Sequence, residues 1–110
     1  MLPQRFRLRK SAEFVSVMRR GRKVARPTLI LYAREAASPH VGLIVSRQVG
    51  GAVQRNKVKR QLRHCAAGLV DESAPVDVVV RALPRAGAPS VRLCEDLKSA
   101  WAAAVEGVRS

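Results

Sequence analysis

Aromatic residues are scarce in this sequence: two Phe, one Tyr and one Trp amount to 4% of 110 residues. Each ring is therefore valuable for packing. Cysteine is scarce too. Cys65 and Cys94 are too few and too widely spaced for a zinc site or a disulfide framework, so two reduced thiols, partly buried, are expected. Long apolar runs are missing. The longest, Thr28–Ala33 and Val78–Val80, fall far short of the roughly 18–20 residues of a membrane span. The first ten residues carry charge with no apolar segment after them, unlike a secretory signal. These absences speak against a membrane or exported protein and lead us to expect a cytoplasmic one.

Acid is the other shortage: 8 Asp+Glu stand against 21 Lys+Arg, a net charge of +13. Phosphodiester hydrolysis commonly uses metals held by clustered carboxylates. Glu13, Glu35, Asp71, Glu72, Asp77, Glu95, Asp96 and Glu106 form no recognisable metal-binding motif. His40, beside the turn at Pro39, and His64, at the end of a basic stretch, are isolated histidines rather than a catalytic pair.

Against these shortages stands an apolar share of 47%, ordinary for a globular protein. The length fits one domain, read as residues 1–110 with a basic N-terminal arm over 1–10. The charge is uneven. Residues 1–27 carry a net +8 and residues 47–63 a net +6 with no acid at all, whereas the last 47 residues carry −1. One part of the molecule is thus expected to be strongly positive and the rest nearly neutral. A like-charged surface repels itself, and nucleic acid is the default polyanion to relieve it, through release of condensed counterions. Acidic lipid is the rival, but it calls for an amphipathic helix with a free apolar face.

Hydrophobic spacing gives the element order. Ser11 is placed to cap a helix to about Arg20, with Phe14 and Met18 one turn apart and Gly21 ending it. Lys23 to Glu35 alternates as extended chain, divided by Pro27. A third strand carries Val41, Leu43 and Val45 after the Ser38–Pro39 turn. Gly50 and Gly51 precede a helix from Ala52 to about Leu69. Pro75 precedes a fourth strand, Val76 to Arg81. Residues 84–89 form a loop, and Ser90 is placed to cap a last helix with Glu95 and Asp96 near its N-terminus. Leu93, Leu97, Ala100, Trp101, Ala104 and Val108 mark the buried stripe of that helix. The expected fold is an α/β sandwich of order α-β-β-β-α-β-α. The strands flanking the middle helix are parallel, since a hairpin cannot join them, and the general rule makes that crossover right-handed.

The middle helix is the informative segment. At about 100° per residue from Arg55, Lys59 falls near 40°, Arg63 near 80°, Asn56 near 100° and Arg60 near 140°. Val58, Leu62, Cys65 and Leu69 gather between about 280° and 340° as a narrow apolar seam. Lys57, near about 200°, lies outside the main arc. No acid intervenes between Arg47 and His64, so like charges at i,i+4 repel uncompensated. A solvated helix face normally intersperses acids, so this one reads as a binding face. Helix-turn-helix spacing and zinc-finger ligands are missing, which places DNA third. Arginines with one Asn suit phosphates plus a base or ribose hydroxyl, pointing to shaped RNA. The seam is narrow and needed for packing, so a membrane-surface role comes last.

Leu8-Arg-Lys-Ser11, Glu13-Phe14, Arg20-Gly21, Leu31-Tyr32, Val41-Gly42, Val45-Ser46, Arg55-Asn56-Lys57-Val58-Lys59-Arg60 with Leu62-Arg63, and Asp77-Val-Val-Val-Arg81 follow one another in this order. In this ordered set the chain resembles the protein subunit of bacterial ribonuclease P along nearly its whole length. The resemblance implies a small basic protein, monomeric by itself, bound to a large catalytic RNA; together they cut the 5′ leader from precursor tRNA. It also implies a left-handed crossover around the signature helix. By the same analogy Arg55, Asn56, Lys57, Lys59, Arg60 and Arg63 contact the RNA subunit. Phe14, Met18, Tyr32, Arg9 and Lys10 face the leader and tRNA, although core packing stays open for Phe14 and Tyr32. Catalysis and its Mg²⁺ ions are expected on the RNA, with no catalytic residue and no metal on the protein. Lys57 replaces the second Arg of the family's signature, keeping charge but losing a planar fork. Met18 and Leu29 stand where aromatics are common. The alternative is a non-catalytic RNA-binding module such as a ribosomal protein.

Overall fold

The computed structural model describes residues 2–70, 75–88 and 91–109. Helix α1 (Ser11–Arg20) leads into strands β1 (Arg22–Ala25), β2 (Leu29–Glu35) and β3 (His40–Ile44). Helix α2 (Ala52–Val70), strand β4 (Val76–Ala82) and helix α3 (Leu93–Arg109) complete the order. The sheet runs β1-β2-β4-β3, antiparallel except for the β3–β4 pair.

The two central strands are buried on both faces, and their composition follows from that. Leu29, Leu31 and Ala33 of β2 join Val76, Val78 and Val80 of β4 in the larger core under α2 and α3. Tyr32 and Val79 point the other way and pack with Val17 of α1 and Leu8. The first ten residues are anchored at both ends, for Leu2 enters the larger core and Leu8 the smaller. Between them lies a 3-10 turn, Gln4–Phe6, and Arg7 bridges Val41 along the outer edge of β3.

Helix α2 buries Val58, Leu62, Cys65, Ala66 and Val70, the seam expected from periodicity. Gly50, at φ 151°, makes the entry turn in a conformation that favours glycine. In α3 the expected stripe is buried except Val108, which is half-buried at the end. Asp96 accepts from Thr28 N–H at 3.2 Å and from its hydroxyl at 2.6 Å. That carboxylate ties the β1–β2 turn to α3 and satisfies the buried Thr28.

Two expectations change, and a third, the Ser90 cap, is not tested. Ser11 is the first helical residue of α1 and Lys10 is the cap, without a side-chain bond, because the Lys10 carbonyl already accepts from Glu13 and Phe14 N–H. Ser90 lies outside the described residues. Cys65 and Cys94 form a disulfide with a Cα–Cα distance of 5.7 Å, not two separate thiols. Sequence spacing was a poor guide here: Cys65 sits on the α2 seam and Cys94 at the start of α3, and the packing of the two helices brings them together. With a sequence separation of 29 residues, closing the loop stabilises by roughly 3–4 kcal/mol in the chain-entropy account.

The handedness of the β3–α2–β4 crossover follows from stereochemistry. Leu8 N–H donates to the Val41 carbonyl at 2.9 Å on the side of β3 away from β4. The Val41 side chain points into the core under α2. For an L-residue these two directions place β4 to the left of β3, viewed from α2 with both strands upward. The crossover is left-handed, against the general rule and in line with the resemblance.

Candidate nucleic-acid interface

Helix α2 lies beside α3, and its contacts define its flanks. Gln54 donates to the Gly87 carbonyl at 2.6 Å, and Cys65 is bonded to Cys94 of α3. Both lie near about 260–280° on the helical wheel, at about 100° per residue. The arc bearing Arg55, Asn56, Lys59, Arg60 and Arg63 is on the other flank, turned away from α3 and toward the outer edge of β3. Arg5, Arg7, Arg9 and Lys10 run along that same edge through the Arg7–Val41 bridge. Asn56, Lys57 and Arg60 are exposed; Arg55, Lys59 and Arg63 are half-buried. Among the described residues none of these cations pairs with a carboxylate. The Arg55 Nε is buried with no partner, a desolvated donor that costs free energy in the isolated chain. Val53, 85% exposed, also lies near the Arg60 side of the arc.

The charge is not confined to one flank. Arg19, Arg20, Arg22, Lys23 and Arg26 gather at the end of α1 and along β1, the opposite edge of the sheet. Arg26 is engaged there with Ser99 Oγ and the Ala25 carbonyl. Sequence proximity to the basic arm had suggested one positive region, but the sheet's width separates the two. Cations on an exposed edge strand also discourage edge-to-edge pairing.

On the face covered by α1 the register sets side chains in rows. The first is Arg34, Asp77 and His40; the second Tyr32, Val79 and Gly42; the third Ile30, Arg81 and Ile44. Helix α1 lies over the second row. Tyr32 is 7% exposed and packed with Leu8, Val17 and Val79, so its ring serves the core and little of it is open. Phe14 and Met18 are half-buried. The Phe14 ring seats on Gly42, where any Cβ would overlap it. Gly42→Ala is therefore expected to lower stability by about 1–3 kcal/mol, the usual cost of overpacking, measured as a shift in the urea midpoint.

The two sides of α1 differ in charge. On the first-row side, Asp77 holds His40 Nδ1 at 3.0 Å and Arg34 at 3.4 Å, and Arg34 also donates to Ser16 Oγ of α1. Glu13, Glu35 and Arg20 line the same pocket. This ionic row was not legible in sequence, since Arg34 and His40 lie 43 and 37 residues from Asp77 and meet it only through pairing of β2, β3 and β4. On the third-row side a cleft is lined by Arg9, Ser11, Phe14, Val15, Met18 and Ile44, with no acid. Lys10, next to Arg9 in the chain, is exposed.

The Ribonuclease P family profile matches residues 2–105. The chain belongs to the ribonuclease P protein family. The ribonuclease P protein component of Acidothermus cellulolyticus is 47% identical over 95 residues, covering 82% of this chain and 79% of that one. That of Streptomyces avermitilis is 45% identical over 113 residues, covering 91% and 92%. A Staphylococcus aureus RNase P protein mutant shares the fold at a TM-score of 0.83 and 24% identity, covering 92% of this chain and 89% of that one. A ribonuclease P protein is one component of a ribonucleoprotein endoribonuclease, and an RNA partner follows from membership. Among the described residues no helix of this ribonuclease P protein is long and apolar enough to cross a membrane.

Proposed function

We propose that this chain binds the RNA subunit of ribonuclease P through the basic flank of α2 and holds the 5′ leader of precursor tRNA in the cleft beside α1. The observation that carries the reading is the row of α2 cations, unpaired with carboxylates among the described residues and on the flank away from α3. Arg55, Lys59, Arg60 and Arg63, with Lys57 on the adjoining surface, neutralise phosphates, and Asn56 supplies hydrogen bonds to a base or ribose hydroxyl. In the cleft, Phe14 and Met18 offer apolar surface to unpaired bases, Tyr32 supports them from beneath, and Arg9 and Lys10 attract the backbone at the mouth.

Mg²⁺ belongs, in this reading, to the RNA subunit. Among the described residues no three His, Cys, Asp or Glu side chains gather to hold a metal, and Asp77 is engaged with Arg34 and His40. The chain's own contribution is to screen phosphate repulsion and to grip the leader. The test is reconstitution at low Mg²⁺ with precursor tRNA and protein alone, the RNA subunit of the same source alone, or both. Cleavage is expected only in the mixture; equal rates with and without protein overturn the assignment.

A further inference from the structure

Arg81 occupies an unusual position. It sits on β4, a central strand, in register with Ile30 on one side and Ile44 on the other, each about 4.8 Å away across the sheet. Both isoleucines are half-buried against the smaller core, yet Arg81 between them is exposed. A central strand packed under a helix calls for an apolar residue at such a point, and Val79 two residues earlier is one. Phe14 and Met18 of α1 pack in one cluster with Ile30 and Ile44 while Arg81 stays exposed, so the floor beside α1 is apolar, cationic, apolar across three strands. Ala25, in register with Ile30 on β1, extends the row to an open edge.

Charge around Arg81 is one-sided. The cleft that ends at Ile44 holds Arg9 and no acid. Asp77, four residues back on the same face, is about 13 Å away along the strand and is paired with Arg34 and His40. Glu13 and Glu35 lie with it across α1. Among the described residues Arg81 has no ion pair.

We infer that Arg81 is a leader-binding residue: its guanidinium holds a backbone phosphate of the single-stranded leader on the cleft floor while adjacent bases rest on Phe14 and Met18. The inference rests on the cleft reading above and adds a contact to it. A planar guanidinium matches a phosphate in two parallel hydrogen bonds, and channels for single strands combine such cations with stacking surfaces. The arrangement also fits the shortage of rings, since a cleft with one half-buried Phe gains grip from charge. The leader would then run from Arg9 at the β3 edge across Ile44, Arg81 and Ile30 toward Ala25.

The experiment uses the reconstituted holoenzyme and measures affinity for leader-bearing precursor tRNA and for mature tRNA over a salt series. Arg81→Gln is expected to weaken precursor binding about tenfold, as for loss of a charge-assisted hydrogen bond, with mature tRNA unaffected. The log–log salt slope should fall by about 0.7, one single-strand phosphate, and Arg81→Lys should restore most of both. Equal weakening for the two RNAs, an unchanged salt slope, or a change in thermal stability alone overturns the inference. The last result would mean that the side chain merely lies over the isoleucines. Phe14→Ala, measured in parallel, separates the levels. If it lowers leader-dependent affinity while Arg81→Gln does not, only the role of Arg81 falls. If neither variant affects leader-dependent affinity, the cleft reading falls with it.

Discussion

Replacing Arg55 and Arg60 together by alanine is expected to weaken assembly with the RNA subunit by about a hundredfold or more. Hydrogen bonds to charged groups contribute about 1.5–3 kcal/mol each, and every 1.4 kcal/mol is about tenfold in affinity. Arg60 is exposed and Arg55 half-buried, and no carboxylate among the described residues competes for either. Salt provides the sharper readout. Each duplex phosphate contact adds about 0.9 to the log–log slope, so the double variant should lose close to 2. Binding titrations at three salt concentrations give that slope directly. Weaker binding with an unchanged slope would mean that the arginines act through the fold instead of on phosphate.

The second large effect concerns the seam of the same helix. Leu62 is fully buried, in one cluster with Val41, Val80 and Leu97. Leu62→Ala removes methyl groups and leaves a cavity that the disulfide-linked helices can close only in part, costing about 2–5 kcal/mol. For a domain of this size that corresponds to a fall in Tm of roughly 10–25 °C, readable by circular dichroism. Arg60→Ala, two residues away on the open flank, should move Tm by only a few degrees. A Leu62→Ala shift as small as that would show that α2 is not seated on the sheet as described.

Much of this architecture was written in local patterns. Pro27 divides β1 from β2, Gly50 turns the chain into α2, and the valines of β4 announce a strand. Periodicity also separated Val58 and Leu62 from Arg55 and Arg63, because a helix converts spacing directly into faces. What stayed hidden depends on three dimensions. Cys65 and Cys94 meet only once α2 and α3 pack. Asp77 finds His40 and Arg34 only through strand register. Arg81 looked like the end of a strand, and its place between Ile30 and Ile44 emerges when three strands are aligned. The run Arg19–Arg26 misled in the opposite way: near the arm in sequence, it lies across the sheet from it. Chirality was the furthest from reach, since the fold takes the rare hand that only the family resemblance suggested.

The placement of α1 and α2 on opposite faces of one thin sheet has a bearing on turnover. The flank offered to the RNA subunit and the groove beside α1 are built from different side chains, sharing little beyond the N-terminal segment at the rim. Under the proposed function, a spent leader slips out of that groove while the protein stays clamped to its ribozyme, so successive substrates are exchanged without dismantling the particle.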